Sequence, residues 1–394
     1  MPKKQPSLPM PNENAKAHSE RLVDRIREEI EAAGGRLPFD RYMELALYAP
    51  GLGYYAAGAR KFGEAGDFVT APELSPLFAR CLARQCKQVF EQLGGGDILE
   101  FGAGSGVMAA DILLELKQFQ SLPGRYLMLE LSPALKARQR ETLEQKVPDL
   151  LDRIEWLSAM PEMDFQGVVL ANELLDAMPV NRFRIERGKV LEQFVVWKEG
   201  QLNCEWFEPV APGLIPAVGT VQNLLGSDCS DYESEVNLRI APWLETVSGI
   251  FSAGLLLLID YGYPRAEFYH PQRDRGTLMC YYRHRVHPDP LFLPGLQDLT
   301  AHVDFTAVAE AGLAAGFSLA GYTTQTYFLM GTGLDELVAA SDPNDVVPHM
   351  TLVQGVKRLT LPSEMGERFK ALGLGKKLNG PLAGFSMREM SEHL

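Results

Sequence analysis

From Asp97 onward the chain alternates short apolar runs with amphipathic stretches, and this alternation restricts what it can fold into. DILEFGAG reads as a strand and turn, VMAADILLELKQF as a helix, YLMLEL as a strand and SPALKARQRETLEQ as a helix. RIEWL is then a strand, and GVVLANELLDAMP a strand running into a helix. Such a βαβαβ order predicts parallel strands with helices on both faces. The pattern resumes with a helix near 240–252 and the strand GLLLLID. The fold class expected is therefore α/β with a Rossmann-like sheet.

The remaining segments divide the chain further. Residues 1–20, rich in Pro, Lys, Asn and Ser, read as a disordered tail, and 21–96 as an N-terminal helical and lid region. RLVDRIREEIEAAGG and FDRYMELALY carry helical periodicity, and SPLFARCLARQCKQVFEQLGG is an amphipathic helix with Ser75 as its cap. The aromatic, glycine-rich stretch from Gly51 to Pro72 is expected to act as a lid. The core is expected over 97–181 and 240–330, with a long irregular segment at 261–304. Between its halves, RFRIERGKVLEQFVVWKEGQLNCEWFEP reads as a strand meander turning at Arg187-Gly188 and Glu199-Gly200, within an inserted substrate-covering region, 182–239. Strand-like YTTQTYFLM precedes a C-terminal helical extension, 331–394.

Composition narrows the function classes. A net charge of −13 is a poor match for a duplex-binding protein, which needs a basic face, so nucleic acid is not the expected partner. Five scattered cysteines without a C-x-x-C pair suit neither a disulfide framework nor a zinc ribbon, and a reducing cytoplasm is the expected address. The aliphatic run Leu255 to Ile259 is too short to cross a bilayer, so no membrane span is expected. The N-terminus has neither an apolar signal core nor an Arg-rich amphipathic pattern.

The strongest chemical signal is Glu100-Phe101-Gly102-Ala103-Gly104-Ser105-Gly106, at a strand end that leads into a helix. Glycines there let backbone approach a ligand closely, and the helix start offers free N–H groups. Dinucleotide folds space their glycines G-x-G-x-x-G around a pyrophosphate. Here the spacing is G-x-G-x-G, with an acid two residues before the first glycine. That acid would repel a pyrophosphate, which counts against an NAD-dependent dehydrogenase, and suits a cationic ligand such as S-adenosylmethionine (SAM).

Glu130 closes the strand YLMLEL, where an acid can accept both ribose hydroxyls, although the gap from Gly102 exceeds the usual ~20 residues. Next, Asn172-Glu173-Leu174-Leu175-Asp176-Ala177 follows a sheet strand directly. If helical, it places Glu173 and Asp176 on one face, with Asn172 as cap. Asp260 ends another buried strand, where an unpaired charge is costly. His284, His287, His302 and Asp304 come late, without metal-ligand spacing, so no metal is expected. His302 and Asp304 are candidates for taking a proton.

GDFVTAPELSPLFARCLARQ, ILEFGAGSG, LANELLDAMPVNRF, LLLIDYG and GLQDLTAHVDF, in that order, resemble the MidA-like family of SAM-dependent methyltransferases. The resemblance runs from about Phe39 to the C-terminus. It implies a class I methyltransferase sheet, SAM as cofactor, and a protein arginine as methyl acceptor, because the family includes a mitochondrial complex I assembly factor described as a protein arginine methyltransferase. A small-molecule methyltransferase, or a SAM-binding assembly factor with little catalysis, are the alternatives. Gly102, Gly104 and Glu130 would bind SAM, joined by Glu100, Gly106 and Asn172. Glu173, Asp176, His302 and Asp304 would serve catalysis, and Glu235 and Asp260 the substrate. Without a transit peptide, the chain is expected to be a bacterial cytoplasmic member.

Overall fold

The computed structural model describes residues 8–57, 70–162, 164–226 and 231–394. They form two compact units. One comprises the described residues of Met1–Phe68, Ala177–Arg239 and Tyr269–Ala301; the other comprises those of Val69–Asp176, Ile240–Phe268 and His302–Leu394.

The second unit is built on the expected sheet. Its strands are β1 (Asp97–Phe101), β2 (Tyr126–Leu129), β3 (Ile154–Leu157), β4 (Phe165–Asn172), β5 (Phe251–Tyr263), β6 (Ser318–Thr324) and β7 (Phe369–Lys376). They lie in the order β3-β2-β1-β4-β5-β7-β6. Strands β1 to β5 pair in parallel, whereas β7 runs antiparallel to β5 and β6. A short strand, Val303–Asp304, extends the sheet alongside Gly262 and Tyr263 of β5. Strands β4 and β5 read as unbroken apolar runs because a parallel sheet is covered on both faces: Val168, Val169, Leu255, Leu256 and Leu258 are all fully buried. Strand order reverses between β1 and β4, and ligands bind such sheets at the carboxyl ends beside the reversal.

The helix Pro76–Leu93 shows why this sequence folds locally as it does. The Ser75 hydroxyl accepts the Leu77 N–H at 3.3 Å, and Gly94, at φ 75°, ends the helix in the left-handed conformation. Its buried face carries Leu77, Phe78, Cys81, Leu82, Cys86 and Val89, which join the apolar cluster that includes Ile98 and Leu113.

Three expectations need correction here. The segment after β4 is not a helix: β4 ends at Asn172, and Glu173 takes φ 51°. The C-terminal extension is not wholly helical, because residues 369–376 form β7 between β5 and β6. FKALGLGK is short and carries two glycines, so its strand character comes from its partners rather than from its own pattern. YTTQTYFLM splits at Thr324, whose hydroxyl caps the helix Gln325–Gly331.

The first unit begins with the helix Glu13–Ala32, capped by Asn12, which accepts the Ala15 N–H at 2.8 Å. The segment expected as a tail to residue 20 is thus helical from Glu13. The predicted meander is present as antiparallel strands Asn181–Glu186, Lys189–Lys198 and Gln201–Phe207. Both turns have two successive positive φ angles, at Arg187-Gly188 and Glu199-Gly200, the geometry of tight hairpin turns. Residues 269–301, expected within the core, belong to this unit instead. Their strands Met279–Tyr282, Arg285–His287 and Asp298–Thr300 form a small sheet, and Cys280 and Leu299 pack with Leu22, Ile26 and Tyr42. Packing between segments that far apart leaves no local period to read. No described helix is long and apolar enough to cross a membrane.

Candidate functional site

The glycine turn leaves β1 at the strand-order reversal. Gly102, Gly104 and Gly106 have φ of 66°, 53° and 81°, a sequence of left-handed positions that side chains with a Cβ adopt only at a cost. A Cβ on Gly104 would meet nothing within 4 Å, so this glycine presents an open backbone face. Gly106 caps the helix Val107–Gln118, whose Val107 N–H donates to the Ser105 hydroxyl at 3.4 Å.

Glu100, one residue before β1 ends, is fully buried, and its Oε2 accepts the Tyr126 hydroxyl at 2.6 Å. Burial pushes its carboxyl up to about 7; the Tyr126 bond opposes that shift and the charge of Glu130 adds to it. Its ionisation near neutral pH moderates the simple Coulomb argument for a permanent anion at this position.

Glu130 follows β2. Its Oε1 accepts the Ser132 N–H at 2.8 Å and its Oε2 accepts Gln139 Nε2 at 3.1 Å. The Leu131 backbone N–H is a further donor to this carboxylate, and its two oxygens, with two lone pairs each, keep acceptor capacity for a ribose hydroxyl. Burial raises the Glu130 pKa, against the hydrogen bonds from Ser132 and Gln139.

A third group gathers at the ends of β4 and β5. Asp260 Oδ2 accepts the N–H groups of Leu175 at 2.9 Å and Asp176 at 3.2 Å, while Oδ1 accepts that of Tyr261 at 2.8 Å. These bonds replace the helical ones expected for NELLDA. Asp260 is thereby committed to backbone, which corrects its expected role as a substrate ligand. Burial, then the charges of Asp176 and Glu173, push its pKa well above the usual carboxylate range. Glu173, in the left-handed region, has its N–H held by the Ile259 carbonyl at 2.9 Å. Its Oε1 accepts the Asn172 amide at 3.1 Å and the Ala71 N–H at 3.4 Å. Asn172 Oδ1 is buried without a partner among the described residues, an acceptor left for a ligand donor.

Ser105 of the glycine motif and Glu73 of GDFVTAPE, a segment that the family resemblance implies lines the site, complete this edge. Ser105 donates its hydroxyl to Glu73, and Glu73 and Ala71 sit on the short helix Ala71–Leu74. That helix links the glycine turn to Glu173. Residues 58–69, which contain most of the expected lid and part of GDFVTAPE, lie outside the described residues.

The late histidines do not form one group. His284 occupies the turn of the hairpin Met279–Tyr282/Arg285–His287 in the first unit, whereas His302 belongs to the second. The His302 ring lies edge-on to Tyr261, centroids 5.0 Å apart, and tilted against Tyr263 at 5.4 Å. Asp304 is a helix cap rather than a base: Oδ1 accepts the Ala307 N–H at 3.1 Å and Oδ2 pairs with Arg265 Nε at 3.2 Å. Glu235 belongs to the first unit, on the strand Asp231–Val236, where its Oε1 accepts the Thr277 N–H at 2.6 Å. Its Oε2 is buried without a partner among the described residues. Among those residues no group of three or more His, Cys, Asp or Glu is arranged to hold a metal ion.

The site fits SAM: open glycine backbone at a helix start, a carboxylate with acceptor capacity left, and a buried amide oxygen without a partner among the described residues. A family model of S-adenosyl-L-methionine-dependent methyltransferases matches residues 81–323. A solved structure from Burkholderia thailandensis, bound to S-adenosyl-homocysteine, is 42% identical with a TM-score of 0.93, over 98% of this chain and 100% of that one. The mitochondrial protein arginine methyltransferase NDUFAF7 homolog of Drosophila melanogaster is 28% identical over 405 residues, 95% of this chain and 89% of that protein. Its human counterpart is 27% identical over 391 residues, 92% of this chain and 85% of that protein. The fold, the cofactor and the enzyme class read from the motifs agree with these matches. The cytoplasmic address does not, since these relatives are mitochondrial. Unpaired cysteines report a reducing environment and not a compartment, which is why that inference failed.

Proposed function

The chain belongs to the family of SAM-dependent methyltransferases matched over residues 81–323, and from that premise we propose that it methylates arginine on a protein substrate. The observation that carries this reading is the acid cluster at the ends of β4 and β5. Glu173 and Asp176 lie close enough to Asp260 for their charges to raise its pKa. Acidic groups held this close disfavour one another's ionised form, and a cation bound at Glu173 and Asp176 relieves that repulsion. A guanidinium is planar, permanently charged and forked, so carboxylates grip it through paired hydrogen bonds. The names of the Drosophila and human relatives support the same acceptor.

In this reading the residues divide the work. Gly102, Gly104 and Gly106 line the backbone face of the SAM site, Glu130 takes the ribose hydroxyls, and Asn172 Oδ1 accepts a ligand donor, with Glu100 beneath. SAM when bound supplies an electrophilic methyl group on a sulfonium. Glu173 and Asp176 orient the acceptor and localise its charge away from the nitrogen that is methylated. His302, fixed by Tyr261 and Tyr263, takes the proton that this nitrogen loses.

The test is transfer of labelled methyl from SAM into a cell extract, followed by mass spectrometry. Label on protein arginine is expected. Label on a neutral low-mass metabolite would replace this reading with small-molecule methylation.

A further inference from the structure

We infer that Gln139 is a positioning residue for SAM, coupling the glycine turn to the acid that takes the ribose; the inference rests on the ribose role proposed for Glu130. Gln139 lies on the helix Pro133–Lys146 and is fully buried. Its Nε2 carries two N–H bonds. One is directed at the Gly104 carbonyl, 3.2 Å away, the other at Glu130 Oε2, 3.1 Å away. Its Oε1 accepts the indole N–H of Trp156, on β3, at 3.1 Å.

This arrangement has one orientation. A primary amide turned by half a rotation would present its oxygen to a carbonyl and a carboxylate, and its NH₂ to an indole donor. All three contacts would then be repulsive. Trp156 therefore fixes which end of the amide faces the site, and the amide fixes both Gly104 and Glu130. Gln139 also sets the fit of the turn from the other side: a Cβ on Gly106 would lie 3.1 Å from Gln139 Cα. A solvated helix has no use for a buried amide whose every hydrogen-bonding atom is engaged. A site that must hold a glycine turn and a carboxylate in register does.

Binding follows from the geometry. With Gln139 in place, one lone pair on Glu130 Oε2 is occupied and the carboxylate plane is held. Without it, the carboxylate keeps the Ser132 N–H on Oε1 but loses the bond that fixes Oε2, and the Gly104 carbonyl loses its donor. Both ends of the cofactor site loosen together, although Gln139 itself need not touch SAM.

The experiment is calorimetric titration of the full chain with S-adenosylhomocysteine, for wild type, Gln139→Leu, Glu130→Ala and the double variant. Acting through a charge-assisted hydrogen bond, Gln139→Leu is expected to weaken binding about tenfold. On top of Glu130→Ala it is expected to cost less, about threefold, because only the bond to the Gly104 carbonyl is left to lose. Gln139→Leu binding like wild type while Glu130→Ala is weakened would overturn the inference alone. A tenfold loss in both backgrounds would also overturn it, since a general structural effect adds independently. Glu130→Ala binding like wild type would remove the ribose reading and the inference with it. Should Gln139→Leu fail to fold, Trp156→Phe decides. It keeps Gln139 but frees the amide, and is expected to weaken binding about threefold through loss of one hydrogen bond; unchanged affinity would refute the inference.

Discussion

Asp260 holds the turn that carries Glu173 by accepting two successive backbone N–H groups, those of Leu175 and Asp176, on one oxygen. The pairing crosses from β5 to the loop after β4, and it puts an acid in the left-handed region where glycine is the usual occupant. Strain at such a position costs of order 1–3 kcal/mol and persists only where neighbours enforce it. Here the enforcing groups are Asp260 and the Ile259 carbonyl.

Asp260→Ala should therefore act through stability. It leaves two buried N–H groups and the part-buried one of Tyr261 without their acceptor, at about 1–3 kcal/mol for each that finds no substitute. Thermal unfolding should show a lower midpoint, and methyl transfer should fall with it. A substrate ligand would behave differently, with a raised KM and an unchanged midpoint.

The cofactor site can be tested by ligand-induced stabilisation. S-adenosylhomocysteine at a hundred times its Kd should raise stability by about 2.7 kcal/mol, and NAD should have no effect. Glu130→Ala should weaken SAM binding by about tenfold or more, the loss of a paired set of charge-assisted hydrogen bonds. Equal affinity in calorimetry would take Glu130 out of the site.

Glu100 makes stability depend on pH in a defined window. Burial lifts its pKa from the ordinary 4.5 to about 7, so between these values the unfolded chain has released a proton that the folded chain keeps. Its contribution is fully present below 4.5 and is lost as pH rises to about 7. Glu100→Gln keeps an acceptor for the Tyr126 hydroxyl but cannot titrate. Its melting temperature should change less than that of wild type across this window. Identical pH profiles for the two proteins would show that Glu100 does not titrate there.

The sheet was legible because buried parallel strands advertise themselves. LLLLI in β5 and VVLA in β4 are apolar without interruption, and the glycines after β1 mark the turn. The hairpin turns at Arg187-Gly188 and Glu199-Gly200 were equally local. What escaped depends on distant partners. NELLDA has acids three apart, as a helix would, and only Asp260, far along the chain, holds it as a turn. FKALGLGK has no alternation of its own and becomes a strand by lying between β5 and β6. Gln139 sits in a polar helix, where an amide looks solvated until Glu130, Gly104 and Trp156 close around it. Asp304 has the chemistry of a base, yet its position before a helix carries the signal of a cap.

Glu173→Gln tests the account's central claim most directly, because it removes charge while keeping size and hydrogen-bonding capacity. If Glu173 orients and polarises a guanidinium, the rate of labelled methyl transfer to protein arginine should fall by roughly two to four orders of magnitude, with SAM affinity and the melting temperature nearly unchanged. Transfer at the wild-type rate, with the same affinity and midpoint, would contradict the account and leave Glu173 as a structural residue of the turn.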